Sequence, residues 1–467
     1  MLGQNPSQPA IFQMVDIDAL VPEDHRLRQI DAALELGFVR EELATCYTPG
    51  RGRPSIDPEL AVRMMILGVL YDLSDRQLCD EIRMHAGFRW FCRLNFHDPV
   101  PDHSTLSRLR NERWAGSELF TKLFDEVVRS CVEAGLVSGH HVSVDGTQIK
   151  ANASMQSLEA RTRPEEEKDD DAGANPPRAK EPQPAGVWQG HGQRYSNETH
   201  VSHSDPEALL YRKGRNEGAK LSYLVHDLID TKSRVILGRH ASQATGTAER
   251  DMALVLLDEH EMRREELGMV RPAEFLSADA GYGVSRFVAE VLERGVVPHT
   301  PLQAKDELEP IPTWKRRTFN EAHKRARAEK VRLAEARNRV RLAQQTEGYA
   351  VSRKLRIRSE HVFAEAKNRH GLGRARHRGL EKVDRHAQFI AAVQNLKRLS
   401  RTLWHRTHNP TGDSPTLGPL VHALRAVRER LNNFAMHARR KFSIGTGSTR
   451  ISAWIHHHRM AFCSTAF

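Results

Sequence analysis

Cysteine is scarce in this chain of 467 residues, and the five present (Cys46, Cys79, Cys92, Cys131, Cys463) stand far apart with no CxxC pair. That excludes a disulfide framework or a cysteine zinc site as the organising device and fits reduced thiols in the cytosol. Long apolar runs are also missing: no stretch approaches the ~20 apolar residues that span a bilayer. The first residues, Met1-Leu2-Gly3-Gln4-Asn5-Pro6, lack the basic and apolar regions of a signal peptide. The expectation is a soluble cytoplasmic protein with no membrane partner. Negative charge is the third shortage. The formal net charge is +10 and the pI about 9.5, which points to a polyanionic partner. Between Lys315 and Arg378 there are 20 Lys or Arg against 6 Glu, a local surplus of +14 that exceeds that of the whole chain. A solvated helix face mixes its signs, whereas here one sign dominates, so nucleic acid is the better reading.

The length implies two or three domains. Residues 1–135 read as mostly helical. Asp57 is a good N-cap with Pro58 at the first helical position, and Ser74 and Asp75 can start the next helix with Leu78 and Ile82 on its apolar side. After Pro101-Asp102, a helix over 104–113 capped by Ser104 or Thr105 would expose Arg108, Arg110 and Arg113. Such a set of short helices is a helix-turn-helix variant reading DNA, or equally a small bundle using its arginines for solubility.

From His141 onward the pattern becomes α/β. Residues 155–200 form a polar, proline-interrupted insertion, expected to be disordered or a long surface loop. Strand-like runs follow over Lys220–Ile229 and Arg234–His240 around a hairpin signal at Asp230-Thr231-Lys232-Ser233. Next come a helix over about 247–265, a strand ending at Asp279, a helix near 285–294 and a short strand at Val296-Val297. Residues 313–347 hold neither Gly nor Pro and predict a long basic helix. Residues 406–467 read as a poorly ordered or accessory extension, and His456-His457-His458 has no trustworthy ligand spacing.

Three acidic residues carry the chemistry. Asp145 ends His141-Val142-Ser143-Val144-Asp145 before Gly146, and Asp279 ends Phe275-Leu276-Ser277-Ala278-Asp279 before Ala280-Gly281. Both are carboxylates at the end of a strand-like run where glycine lets the chain turn. Glu360 lies in a basic helical stretch. Hard divalent cations such as Mg²⁺ take oxygen ligands, and two ions ~3.5–4 Å apart clamp an in-line displacement at phosphorus. Arg356 and Lys367, four before and seven after Glu360, share its helical face. Glu365, about 140° around the helix, is the rival glutamate.

The segments 144–154, 278–282 and 356–367 resemble the three catalytic blocks of DDE transposases of bacterial insertion sequences, within the insertion-sequence-five superfamily. Gly52-Arg53-Pro54 with Asp57-Pro58, and Pro101 through Arg108, are similar to that family's helical N-terminal domain. Arg378 through Val383 and Asn395 through Leu399 resemble its end, and Ser204-Asp205-Pro206-Glu207-Ala208 an internal block without an assigned role. The resemblance spans about residues 10–405. It implies an RNase H-like mixed sheet with flanking helices, preceded by an all-α domain. It also implies Mg²⁺ or Mn²⁺, two ions per site, held by Asp145, Asp279 and Glu360. DNA would be held by Arg108, Arg110, Arg113, Arg356 and Lys367. The partners implied are double-stranded DNA, as terminal inverted repeats and as target, with a homodimer or higher assembly to synapse two ends near the bacterial nucleoid. A tyrosine expected shortly before Arg356 is absent from that place; Tyr349 is seven residues upstream. Two other readings stay open: an RNase H-like nuclease for hybrids or branched DNA, and an inactive transposase-derived DNA-binding protein.

Overall fold

The alternation of short helices with strands after His141 is realised in a computed structural model that describes residues 16–48, 55–161, 195–214, 217–302, 307–315, 317 and 320–408. The N-terminal part is all helical: α1 (Arg26–Ala33), α2 (Val39–Glu42), α3 (Pro58–Leu70), α4 (Asp75–Met84), α5 (Ala86–Phe91), α6 (His103–Arg108) and α7 (Leu119–Glu133). Asp57 caps α3, its carboxylate accepting from Glu59 N at 3.0 Å. Ser74 and Gln77 form a reciprocal capping box on α4, which buries Leu78 and Ile82. The helix after Pro101 departs from expectation. Its cap is Asp102, which accepts from Ser104 N at 2.8 Å, and it continues past Arg108 as a π-helical turn over Leu109–Arg113. Asp102, two residues before Ser104, caps the chain first by taking the Ser104 N–H, so the helix starts at His103.

Next come β1 (His141–Lys150), β2 (Leu158–Ala160), β3 (His200–Ser202), β4 (Leu209–Tyr211), β5 (Lys220–Asp230), β6 (Ile236–Gln243), α8 (Ala248–Arg263), β7 (Phe275–Ser277), α9 (Ser285–Glu293) and β8 (Val297–His299). The last helices are α10 (Glu321–Gln344), α11 (Glu347–Leu355), α12 (Ile357–Arg369) and α13 (Leu380–His408). The main sheet runs β6-β5-β1-β7-β8, with β4 beside the start of β5. β5 is antiparallel to β1 and β6, whereas β7 and β8 run parallel to β1. Three antiparallel strands followed by two parallel ones is the RNase H-like mixed sheet. The small β2–β3 ladder is separate; most of the polar insertion between them, 162–194, lies outside the described residues, as does the chain from 409 on.

β5 is buried along nearly its whole length, and its polar side chains are almost all satisfied. Tyr223 Oη donates to Asp205 at 2.7 Å, and Asp227 takes two bonds from Arg239 at 2.6 Å each. The hairpin after β5 is tied by Asp230, whose carboxylate accepts from the N–H groups of Lys232 and Ser233. α13 guards the outer edge of β6. Asn395 accepts from Ile236 N at 2.8 Å and donates to Ile236 O at 2.7 Å, while Asp384 accepts from Ala241 N. A helix side chain thus takes the place of a neighbouring strand on an otherwise open edge. The block at 204–208 acquires a role too: Asp205 accepts from Gly379 N and Glu207 from Leu380 N, satisfying the start of α13.

The first compact unit runs to Arg401 and holds both the N-terminal helices and the sheet. Phe120 of α7 meets Phe389 of α13 edge-on at 5.4 Å between ring centres. His370 bonds Val69 O at 2.8 Å and Arg376 donates to Leu73 O at 2.6 Å. The basic helix expected from residue 313 begins only at Glu321, where Asn320 accepts from two N–H groups. It packs Ala336 and Val340 against Val288 and Ala289 of α9.

Candidate metal centre and nucleic-acid interface

Asp145 and Asp279 come together because β1 and β7 are parallel neighbours. Ser143 pairs with Ser277, and each aspartate lies two residues further along its own strand, hence on the same face as its serine. Ser143 Oγ bonds both Ser277 O (3.1 Å) and Ser359 Oγ of α12 (2.9 Å), so that face looks toward α12. Burial pushes the Asp145 carboxyl up to about 7; the Gly146 N–H and the charge of Arg356 act against this, and the negative charge of Asp279 adds to it. Asp145 accepts one hydrogen bond, from Gly146 N at 2.8 Å, and Asp279 one from Gly281 N at 2.8 Å. Among the described residues neither has a salt-bridge partner.

α12 runs alongside β1. Ser359 touches Ser143, and two turns on, Lys367 Nζ donates to Gln148 O at 2.9 Å. Arg356 acts on Asp145, and Asp145 in turn acts on Lys367. Glu360 lies between the two cations on that face, exposed, with Arg356 at 3.7 Å. The rival Glu365 is already committed: it accepts from Arg398 at 2.9 Å and from Lys397, with His370 at 3.6 Å. Despite the desolvation that works the other way, His370, Arg398 and Lys397 hold its carboxyl well below the usual range. Asp227, opposite Asp145 in the β1–β5 register, is equally committed to Arg239.

The structure therefore gathers Asp145 and Asp279 and sets Glu360 on the facing helix. Among the described residues no three His, Cys, Asp or Glu side chains close on one point as a ready-made ion cage. The donor set fits a hard divalent cation nonetheless: all-oxygen carboxylates, two of them adjacent and unneutralised, with room for substrate and water as further ligands.

The basic residues divide. Arg108 is exposed. Arg110 is spent on Asp75, with its Nη2 2.6 Å from the carboxylate, and Arg113 stacks over Tyr47 at 5.0 Å. In α10, Arg332 pairs with Glu293, while Arg337 and Arg341 pair with Glu309. Part of the +14 surplus is thus internal cement, because Glu293 and Glu309 lie outside the window counted. A cavity of about 980 Å³ opens between the N-terminal helices and the 371–377 loop, and Lys150, Lys367, Arg374 and Lys382 line it. Lys150, at the end of β1, and Arg374, which bridges to it, carried no sequence signal.

A mixed RNase H-like sheet with two neighbouring carboxylates, one within β1 and one just past β7, and cations along the facing helix offers the donor set of a metal-dependent phosphodiester-cutting site. Residues 15–112 match the family described as "Transposase domain (DUF772)" and residues 188–396 match "Transposase DDE domain", together about two thirds of the chain. The chain belongs to the DDE transposases of insertion sequences. Asp279 and Glu360 fall inside the second match, and Asp145 between the two. Two solved structures are similar: a Mos1 transposase paired-end complex with the left transposon end (9% identity, 66% of this chain and 81% of that one) and the Mos1 mariner paired-end complex with Mn (10%, 72% and 94%). Both have a TM-score of 0.17, so the fold assignment rests on the strand order. No described helix is long and apolar enough to cross a membrane.

Proposed function

We propose that this transposase binds the terminal inverted repeats of its own insertion sequence, nicks their ends and joins the freed 3′ hydroxyl to target DNA at one site. Asp145 and Asp279 hold two Mg²⁺ or Mn²⁺ ions and Glu360 completes the set. The carrying observation is that Asp145, half-buried beside Asp279, has no salt bridge among the described residues, whereas Asp227 across the ladder and Glu365 on α12 are both fully paired. Two neighbouring, half-buried carboxylates repel each other unless cations offset them. Held there, divalent ions would activate the attacking water and stabilise the leaving oxygen. Arg356 and Lys367 hold the backbone of the scissile strand against α12, and Arg108 contacts DNA from the N-terminal helices. Arg110 and Arg113 act there through the shape of the π-helical turn, since their guanidinium groups are engaged with Asp75 and Tyr47. Lys150, Arg374 and Lys382 extend the cationic track. Synapsis of two ends calls for a homodimer or higher assembly, working in the cytoplasm on nucleoid DNA.

The reading is tested by Asp145→Asn, which should abolish metal-dependent cleavage of inverted-repeat duplexes while end binding in a gel-shift assay persists. Normal cleavage by that variant overturns it. Equal cleavage of unrelated duplexes or hybrids by the wild type would favour a general RNase H-like nuclease instead.

A further inference from the structure

The first turn of α8 lies against Gly146. A side chain would be crowded there: a Cβ would stand 3.1 Å from Cγ and 3.2 Å from Oε1 of Glu249, and 3.2 Å from Nδ1 of His226. Arg250, next along α8, reaches Gly281 O at 3.4 Å and ties the helix start to the Asp279 turn. At the end of the Asp279 turn Tyr282 is buried to 1% exposure, yet its Oη has no hydrogen-bond partner among the described residues. The charges acting on that phenol are Glu249 first, then Asp145 and Asp279. His226 gives Nε2 to the Ser242 hydroxyl at 2.8 Å and leaves Nδ1 without a partner. Glu249 itself makes no salt bridge among the described residues. Two orphaned polar atoms beside one uncommitted carboxylate are unusual in a folded interior, where such groups are nearly always paired. None of the three has a part in the reaction described above.

We propose that Glu249 is a fourth functional carboxylate of this centre, a positioning residue that, together with Tyr282 Oη, holds the water shell of a divalent ion bound at Asp145 and Asp279. Gly146 faces away from the side of β1 that carries Asp145, so Glu249 approaches the strand ends from the side opposite Glu360. Partners of this outer kind orient the ligands they touch and set metal affinity. Gly146 is what lets Glu249 come this close.

This inference rests on the assignment of Asp145 and Asp279 as metal ligands, and one experiment separates the two. Mn²⁺ binding to the DNA-free full chain is titrated by calorimetry for wild type, Asp145→Asn, Glu249→Gln, Tyr282→Phe and the Glu249→Gln/Tyr282→Phe double variant. Melting in chelator reports the fold of each. Glu249→Gln should weaken Mn²⁺ binding about 10–100-fold with unchanged melting, Tyr282→Phe by less, and the double variant by no more than Glu249→Gln, as expected of one unit. Should Glu249→Gln fail to fold, Glu249→Asp, which keeps the charge and shortens its reach, should show the same loss. Wild-type Mn²⁺ affinity in whichever Glu249 variant folds, alongside loss in Asp145→Asn, overturns the role of Glu249 alone. Retention in Asp145→Asn overturns the metal centre itself.

Discussion

Asp145 and Asp227 face each other across the β1–β5 ladder, and the protein treats them in opposite ways. Asp227 is locked by two 2.6 Å bonds to Arg239, whose guanidinium also lies 5.8 Å over the Phe363 ring. Asp145 has a glycine N–H and a like-charged neighbour. The same contrast recurs on α12, where Glu365 is enclosed by Lys397, Arg398 and His370 while Glu360 stands exposed. Buried carboxylates that only stabilise are given their counter-charge within the chain. Those left with none, as Asp145 is, or with one loose surface pair, as Glu360 is with Arg356 at 3.7 Å, are where a counter-charge from outside belongs, and that difference, rather than acidity or burial alone, marks the site.

The comparison breaks most sharply at the catalytic pair. Asp145→Asn and Glu360→Gln should each lower cleavage of end duplexes by about a thousandfold or more, since the ions supply several kcal/mol to the transition state. Neither should lower the melting temperature. Asp227→Ala should do the reverse. Stranding Arg239, which is buried to 1% exposure, should cost about 3–5 kcal/mol in urea unfolding, with specific activity of the folded fraction kept. If Asp227→Ala leaves stability unchanged, the division between the two aspartates fails. Glu365→Gln should cost about 1–3 kcal/mol, less because that carboxylate is partly exposed.

A pH series sharpens the structural side. Burial opposes charge on His240, but bonds to Asp384 and Glu259 (2.8 Å) prevail and raise its pKa to about 9. A histidine raised in the folded state contributes stability that is complete below its unfolded pKa of ~6.5 and lost as pH rises through about 9. Unfolding free energy should therefore fall by on the order of 1–2 kcal/mol across that window, and His240→Gln should flatten the slope. The smallest effect is at the surface. Arg108→Ala should reduce the salt dependence of end binding by about one phosphate contact, a slope change of ~0.9 on B-DNA, whereas Arg110→Ala should chiefly loosen the Asp75 contact between α4 and the π-helical turn.

Much of this was legible beforehand because it is local. Asp57 and Ser74 cap the helices that follow them, and the hairpin sits at Asp230 as its turn residues require. Of the two aspartates, Asp279 does sit just past a strand end at a turn, but Asp145 does not: β1 runs on to Lys150, and Gly146 pairs with His226 within the ladder instead of turning the chain. What stayed hidden depends on partners remote in sequence. Nothing near Asp227 announces Arg239 on the next strand, and nothing near Glu365 announces Lys397 and Arg398 some 30 residues on. Asp102 took the cap expected of Ser104 or Thr105, and Asn320 set the start of α10 eight residues late. The charge surplus over 315–378 was also read too simply, since Arg332, Arg337 and Arg341 are consumed by glutamates from outside that stretch. Glu249 carried no motif; it emerges only where Gly146 meets α8.

The long helix α13 has one more consequence. It is fastened to β6 through Asn395 and Asp384, and to α7 through the Phe120–Phe389 contact. Both attachments fall on one stretch of the helix, residues 384–395, so it clamps the sheet and α7 into a single body. On the function proposed here, DNA gripped by the N-terminal helices is held at a set distance from the carboxylates, so the place of the cut is counted off from the bound sequence by the length of protein between them.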